Sequence, residues 1–312
     1  MKAAIVRRYG PPSNVRIEDV SEPAVKPDQV LVRVRAASIN PLDAKLRAGS
    51  LRWVMPLAFP AVLGFDFAGE IERLGAAVVG WSTRERVYGR TDARTGGTHA
   101  ERAAVGSDVI DRMPSGLSFD QAASLPLAAM TAVQALRHVK LVPGDRLLVN
   151  GAAGGVGSAA VQVGRAMGAT VTGVCSSHGV PLVERLGARV LDYTKGELAR
   201  TTERFDVALD TVFGAPPPDL MRVLAVRGRY VTTGFSAGLL LRSAVARLWS
   251  RRRFAFVISR AEGALMRRVS EMVIAGELIP VIDSTLPLAR IGEAHERIEQ
   301  GHTHGKIVVT IP

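Results

Sequence analysis

The chain has 312 residues, of which 47% are hydrophobic and 22% charged, and its only cysteine is Cys175. The length suits two globular domains, and the composition excludes a disordered chain. A lone cysteine excludes an intramolecular disulfide and a multi-thiolate zinc site. The net charge of +11 allows a polyanionic partner, but arginines are spread along the chain as surface charge, with one dense cluster, Arg251, Arg252 and Arg253.

In chain order, residues 1–117 carry short β-rich runs punctuated by Gly and Pro, which predict a mostly β zone. Ser118, followed three residues later by Gln121, predicts a capping box at the start of a helix over residues 122–136. Apolar strands and helices then alternate to residue 275, which predicts βαβ units around a parallel sheet. The tail, residues 276–312, offers a helix and a final strand, and we expect it to rejoin the first domain.

The sequence offers little sign of a membrane protein. Its N-terminal residues become charged before a long apolar stretch develops, which predicts a cytoplasmic protein without a secretory signal. Residues 239–258 are apolar at their ends, but Arg242, Arg247 and the arginine cluster interrupt them, so this segment is no membrane span. We expect it to form a lid or a surface helix.

The most informative stretch combines a predicted strand at residues 146–150, a glycine-rich turn and a helix over residues 158–167. Glycine at every third position of the turn permits a tight bend and lets the backbone approach a pyrophosphate, which free N–H groups at the helix start bind. A second strand at residues 170–175 completes the unit. The residues assigned to dinucleotide binding are Gly151, Ala152, Ala153, Gly154, Gly155, Val156 and Gly157.

Cofactor choice depends on the end of that second strand, where an NAD-specific fold usually places an acid on the ribose 2′-hydroxyl. This chain places Ser176, Ser177 and His178 there. Hydroxyls and an imidazole can hydrogen-bond a 2′-phosphate, so NADPH is favoured over NADH. The alternative for His178 is an ordinary exposed loop histidine.

With the glycine turn placed, the whole chain resembles the zinc-independent quinone oxidoreductase branch of the medium-chain dehydrogenase/reductase superfamily. The resemblance is carried by the glycine turn and by residues 37–43, 63–70, 97–101 and 125–132. It implies an α/β protein with a GroES-like β-rich catalytic domain, residues 1–117 and 276–312, and a Rossmann-type doubly wound parallel-sheet domain, residues 118–275. It also implies a homodimer.

The zinc-dependent relatives carry a Gly-His-Glu motif for a catalytic metal, whereas this chain has Gly64, Phe65 and Asp66 at the matching positions. A phenylalanine cannot ligate a cation, so no catalytic zinc is expected. His302 and His304 stand in a Gly-flanked loop and are interpreted as solvated.

Without a Lewis acid, the chemistry should use an acceptor that is already electrophilic, a quinone or an α,β-unsaturated carbonyl. The resemblance points Asn40 and Asp43 at the nicotinamide, and Lys45 follows at a spacing that could face it. Asn40 is the preferred orienting donor, with a plain turn at Asn40 and Pro41 as the alternative. Enoyl reductases of this superfamily use a tyrosine near this region, but residues 43–60 contain none, so solvent is expected to supply the proton.

Further cofactor contacts come from the resemblance alone. It assigns Thr131 to the diphosphate or nicotinamide, Tyr193 to the 2′-phosphate side, and Gly234, Phe235 and Lys306 to the nicotinamide half. Relatives often place a lysine after the second strand, where this chain has Gly179, so selectivity for the phosphate is expected to be weaker.

Two other functions stay open. One is a trans-acting enoyl reductase on carrier-bound acyl chains, whose acidic carrier would dock on the basic surface, although the missing tyrosine opposes it. The other is a non-catalytic NADPH-binding module that engages RNA or a partner through the arginine cluster. The favoured function instead has a small hydrophobic quinone or enone as its partner and no nucleic acid.

Overall fold

The computed structural model describes residues 1–92, 96–212, 218–234 and 252–312. The chain divides into two compact units. The β-rich unit comprises residues 1–127 and 261–312, and the parallel-sheet unit comprises residues 128–260.

Strands account for much of both units. Those of the described residues are β1 Lys2–Val6, β2 Val15–Asp19, β3 Gln29–Ile39, β4 Ala61–Val62, β5 Asp66–Leu74, β6 Arg86–Arg90, β7 Arg102–Gly106, β8 Ile110–Arg112, β9 Arg146–Asn150, β10 Thr170–Cys175, β11 Arg189–Asp192, β12 Phe205–Asp210, β13 Leu224–Thr232, β14 Arg253–Phe256, β15 Ile282–Pro287 and β16 Lys306–Thr310.

Helices connect these strands. Those of the described residues are α1 Pro41–Ala48, α2 Phe119–Ala123, α3 Pro126–His138, α4 Gly155–Ala166, α5 Val180–Arg185, α6 Glu197–Arg200, α7 Pro218–Val223, α8 Gly263–Ile274 and α9 Ile291–Gln300, with short 3-10 turns at Pro12–Asn14, Ser177–Gly179, Tyr193–Lys195 and Leu288–Arg290.

The β-rich unit is built around the long strand β3. Its larger sheet runs β15-β16-β3-β5-β6-β8, with β7 also paired to β3, and a smaller sheet runs β2-β1-β4. Alternate residues of β3, including Val30, Val32 and Val34, are fully buried in an apolar core, as expected for a strand with one face inward. β16 pairs antiparallel with β3, so the C-terminal tail is part of this unit.

The parallel-sheet unit has the strand order β11-β10-β9-β12-β13-β14, and every described pairing in it is parallel. Leu147, Leu148 and Val149 of its central strand are all fully buried. A continuous apolar run of this kind is typical of a strand covered on both faces. The two units together confirm the predicted combination of a β-rich domain with a doubly wound parallel sheet.

Three local expectations need correction. The helix expected over residues 122–136 is two helices, α2 and α3, because Pro126 cannot continue a helix through its missing N–H. Helix α8 belongs to the β-rich unit, whereas it was expected in the nucleotide domain. Its Ser270 donates to Asp111 and contacts the Tyr88 hydroxyl at 2.8 Å.

The third correction concerns the expected lid or surface helix over residues 239–258. Most of that segment, including Arg251, lies outside the described residues, but its end forms strand β14 at the edge of the parallel sheet. Among the helices of the described ranges, a search for one long and apolar enough to span a bilayer finds nothing.

Candidate functional site

The glycine turn between β9 and α4 is shaped by close backbone approaches. A Cβ atom at Gly157 would meet the carbonyl oxygen of Gly151, with the Cα of Ala152 only 2.9 Å away. The first turn of α4 therefore packs against the end of β9 at a distance that only glycine allows. The position of this turn, strand then helix, is the one predicted from the sequence.

This turn presents backbone donors. The N-cap of α4 is Gly154, which has no side chain that could bind the N–H groups of the first turn. These N–H groups have no carbonyl partner within the helix. Thr131 of α3 adds a buried hydroxyl that lacks a hydrogen-bond partner among the described residues. Backbone donors at a helix N-terminus suit the oxygens of a diphosphate, so this part of the chain fits a dinucleotide.

Beside the end of β10 lies an acid of the neighbouring strand β11, Asp192, which sequence reasoning did not place there. Cys175, the last residue of β10, pairs with Asp192, the last residue of β11, so both strands end at the same edge of the sheet. The Ser177 hydroxyl donates to Asp192 Oδ2. Thr194 donates to Asp192 Oδ1 through its backbone N–H at 2.9 Å and its hydroxyl at 2.6 Å.

These donors, that of Ser177 foremost, lower the pKa of Asp192 to about 2, so it is a carboxylate at neutral pH. β10 itself ends without an acid, as the sequence indicates, and the carboxylate beside Ser177 comes from the end of β11. Ser177 and His178 are exposed and Ser176 is half-buried.

Other residues assigned to the cofactor lie in the same unit. Tyr193 follows Asp192 and is 49% exposed. Gly234 follows β13 and is buried, and its backbone N–H donates to the Thr232 hydroxyl at 3.0 Å. Phe235 lies outside the described residues.

The β-rich unit contains a buried charged cluster formed by Ser38, Asn40, Asp66 and Lys306. Asp66 Oδ2 accepts from the Ser38 hydroxyl at 2.7 Å, the Asn40 amide at 3.0 Å and the Lys306 ammonium at 3.2 Å. Its Oδ1 accepts from the backbone N–H of Leu127 at 2.7 Å. All four members are at most 6% exposed. Breaking a buried ion pair of this kind is costly, because loss of one partner leaves a buried charge without compensation.

The cluster fixes the orientation of the Asn40 amide. Lys306 Nζ donates to Asn40 Oδ1, and Asn40 Nδ2 donates to Asp66. An ammonium can only donate and a carboxylate can only accept, so the amide cannot flip without losing both bonds. The structure thus brings together Asn40 and Lys306, two residues predicted to face the nicotinamide, and shows that Lys306 donates inside its own unit.

Asp43 is fully buried and binds backbone. Its two oxygens accept from the N–H groups of Asn40 at 2.8 Å and Gly64 at 2.9 Å, which ties the start of α1 to the turn before β5. Burial raises the pKa of this carboxyl. Lys45, two residues further along α1, is half-buried, and burial lowers its pKa to about 8. These two residues of the predicted catalytic set therefore differ in their access to a ligand.

Phe65, at the position of the metal-ligating histidine in zinc-dependent relatives, is 1% exposed and packs with Val6, Leu46 and Leu63. Over the described ranges, no three His, Cys, Asp or Glu side chains gather where they could hold a metal ion. His302 is exposed and its ring contacts the carbonyl of Gln300 at 3.3 Å, while His304 donates its backbone N–H to Asp283.

A second buried polar group surrounds His295 of α9. Both of its ring nitrogens lack a hydrogen-bond partner among the described residues. The ring of His99 lies edge-on to it, with centroids 6.2 Å apart, and Arg47 is fully buried nearby. Burial, with smaller contributions from the charges of His99 and Arg47, lowers the pKa of His295 to about 3. Helical spacing places His295 on the same face as Ile291 and Ile298, so its burial was readable from the sequence, although its approach to His99 was not.

Of the described arginines of the basic cluster, Arg252 is bound to backbone and Arg253 is exposed. Arg252 donates to the backbone carbonyls of Leu224 at 2.8 Å and Ala225 at 3.3 Å, while Arg253 begins the edge strand β14. Arg252 therefore contributes to packing within the sheet. This observation weakens the prediction of an RNA-binding footprint at this cluster.

Two family models match the chain. The alcohol dehydrogenase GroES-like domain matches residues 26–135, and the zinc-binding dehydrogenase domain matches residues 186–309. The first agrees with the β-rich unit around β3, and the second covers the later strands of the parallel sheet and the tail.

Similar proteins are oxidoreductases by name. The mitochondrial NAD(P)H oxidoreductase RTN4IP1 of Mus musculus is 31% identical over 100% of this chain and 89% of its own length. The chloroplastic NADPH-dependent alkenal/one oxidoreductase of Arabidopsis thaliana is 31% identical over 99% of this chain and 79% of its own.

Among solved structures, the quinone oxidoreductase from Coxiella burnetii matches with a TM-score of 0.91 and 30% identity, covering 100% of this chain and 99% of that one. These relatives cover nearly the whole chain, and their names agree with the motifs and the fold. The chain therefore belongs to the quinone oxidoreductase branch of the medium-chain dehydrogenase/reductase superfamily.

Proposed function

We propose that this protein is a metal-free, NADPH-dependent reductase that delivers hydride to a quinone or to an α,β-unsaturated carbonyl. The observation that supports it most is the local chemistry at Phe65 and Asp66. Phe65 is buried among apolar side chains, and both carboxylate oxygens of Asp66 already accept protein donors. A resident ammonium, that of Lys306, thus provides the positive charge beside Asp66.

NADPH, when bound, supplies the hydride. The chain's own residues hold it: backbone N–H groups of Gly155, Val156 and Gly157 bind the diphosphate, and the Thr131 hydroxyl assists them. The exposed Tyr193 serves the adenosine end. Gly234 and Phe235 serve the nicotinamide half.

Asn40 orients the acceptor. One of its two amide hydrogens is given to Asp66, and the other is left to donate to the acceptor carbonyl, where negative charge develops as hydride adds to the conjugated carbon. Lys306 and Asp66 act as positioning residues, because they hold the amide in the orientation that directs its nitrogen rather than its oxygen. Asp43 holds the start of the helix that follows Asn40. Lys45 is a candidate second hydrogen-bond donor to the acceptor. Solvent supplies the proton.

An acceptor of this class needs no Lewis acid, because its carbonyl is conjugated and already electrophilic. The relatives named quinone oxidoreductase and alkenal/one oxidoreductase agree with such an acceptor. A cytoplasmic location and a homodimer remain predictions, since relatives include mitochondrial and chloroplastic proteins. Light scattering tests the dimer.

The test is NADPH oxidation against a panel of quinones, enones, saturated ketones and alcohols, with Asn40→Ala beside the wild type. We expect turnover of quinones or enones only, and loss of an oxyanion donor should lower kcat about 100-fold. Asn14→Ala is the matched control, since Asn14 makes its amide hydrogen bonds to backbone carbonyls of Arg8 and Tyr9.

NADPH affinity and the melting temperature are measured for each variant, so that a folding defect is not mistaken for a catalytic one. Turnover of saturated alcohols, or full activity of Asn40→Ala, would contradict the proposal.

A further inference from the structure

The adenosine edge of the parallel sheet contains a compact polar cluster, Ser177, Asp192, Thr194 and Lys195. Asp192 is 2% exposed, and its two oxygens accept from the Ser177 hydroxyl and from the N–H and hydroxyl of Thr194. The Lys195 ammonium is 3.6 Å from Asp192 Oδ2. Ser177 is exposed, so its oxygen is accessible to a ligand.

Each hydroxyl has only one hydrogen, and this limits what the cluster can bind. Ser177 and Thr194 both give their hydrogen to the same carboxylate, which leaves Ser177 with lone pairs to offer. A phosphate dianion requires donors and is repelled by a nearby carboxylate. A ribose 2′-hydroxyl, in contrast, can donate to the free lone pair of Ser177.

We propose that Asp192 sets the cofactor preference of this protein: it withholds the Ser177 hydroxyl from the 2′-phosphate and thereby keeps NADPH and NADH close in affinity. The proposal rests on the proposed function only in that both place the adenosine end of a dinucleotide at this edge. Lys195 offsets part of the negative charge, so NADPH is still accepted. The low pKa of Asp192, caused first by the Ser177 hydrogen bond, is consistent with a permanent carboxylate.

The experiment measures binding rather than turnover, with 2′,5′-ADP and 5′-ADP titrated calorimetrically into the full chain. The wild type should prefer 2′,5′-ADP by less than about tenfold. In Asp192→Asn the Ser177 hydrogen is released and a negative charge is removed. Affinity for 2′,5′-ADP should therefore rise about tenfold while that for 5′-ADP changes less than about twofold.

A double-mutant cycle with Ser177→Ala identifies the mechanism. Ser177→Ala alone should leave 2′,5′-ADP affinity within about twofold of the wild type and should lower 5′-ADP affinity, because the 2′-hydroxyl loses its acceptor, whereas in the Asp192→Asn background it should remove most of the gain in 2′,5′-ADP affinity. Asp206→Asn is the matched control, because Asp206 pairs with Arg146 near the start of β12. It therefore lies at the end of the strands opposite to Asp192.

Ser177→Ala decides the question even if Asp192→Asn fails to fold, since Ser177 is exposed. A loss of about fivefold or more in 2′,5′-ADP affinity for Ser177→Ala alone would overturn the proposal, as would an unchanged affinity ratio in folded Asp192→Asn. Absence of binding by both nucleotides would overturn the location of the site. Failure of the proposed reductase activity would leave these binding results unaffected, so the two failures are distinguishable.

Discussion

The glycine turn of the parallel-sheet unit and the buried charged cluster of the β-rich unit differ in the kind of atoms that form them. The turn works through backbone N–H groups that lie within a few residues of one another. The cluster works through side chains that are far apart in the chain, and Asn40 and Lys306 are separated by 266 positions. A site formed by backbone groups of neighbouring residues can be predicted from a local sequence motif. A site formed by distant side chains can be located only once the strands of the sheet have been paired.

The largest expected effect concerns the charged cluster. Lys306→Met removes the ammonium that hydrogen-bonds the buried Asp66, and the free energy of unfolding should fall by about 3–5 kcal/mol. Chemical denaturation measures it. In the double variant Lys306→Met with Asp66→Asn no buried carboxylate is left unpaired. Its loss of unfolding free energy should therefore be clearly smaller than the sum of the losses in the two single variants. Additive losses would show that the two side chains do not interact.

A substitution in the glycine turn should lower the affinity for NADPH rather than the stability of the fold. Gly157→Ala places a Cβ against the Gly151 carbonyl and displaces the first-turn N–H groups, so NADPH affinity should fall by about 1.5–3 kcal/mol per lost hydrogen bond. Fluorescence titration of NADPH measures it. Gly144→Ala is the control for strain, since Gly144 has a positive φ of 86° and open space around it. Equal affinity in both variants would contradict the role of the turn.

Acid should destabilise the protein through His295. Its pKa is lowered to about 3 in the folded state, so stability is full above the ordinary histidine pKa of 6.5 and is lost as pH falls toward 3. Between pH 7.5 and 5.5 the free energy of unfolding should drop by about 1.4 kcal/mol more in wild type than in His295→Leu. Urea denaturation at both pH values measures this difference. His138→Gln, which removes an exposed histidine, should keep the wild-type dependence.

The smallest expected effect is at a local motif of the β-rich unit. Ser118→Ala removes the hydroxyl that accepts from the Gln121 N–H at 3.2 Å, and stability should fall by about 1 kcal/mol. The exposed Ser50→Ala should change it by less than about 0.5 kcal/mol. If Ser118→Ala matched Lys306→Met in cost, the distinction between local and long-range features would fail.

What the sequence could predict follows the same division. The strand at residues 146–150, the strand at 170–175 and the capping box at Ser118 are encoded by neighbouring residues, and the structure has all three. The break at Pro126 was also readable, because proline interrupts a helix from within the sequence itself.

The contact of Asp192 could not be found in this way. Asp192 reaches Ser177 only through the parallel register that pairs Cys175 with Asp192, and no periodicity specifies that register. The burial of His295 was readable, because it shares a helix face with Ile291 and Ile298, but its approach to His99 and Arg47 depends on the completed fold. Likewise Lys306 was assigned to the cofactor by resemblance, and only the pairing of β16 with β3 shows that its ammonium meets Asn40 and Asp66.

The proposed reaction, reduction of an electrophilic acceptor by NADPH without a metal, can be tested directly. The most direct measurement is the rate of NADPH-dependent quinone or enone reduction by enzyme whose metal content has been determined by mass spectrometry, before and after dialysis against a chelator. We expect less than about 0.1 metal ion per chain and an unchanged rate, because a ligand position is phenylalanine. A stoichiometric metal, or activity that chelation abolishes and zinc restores, would contradict it.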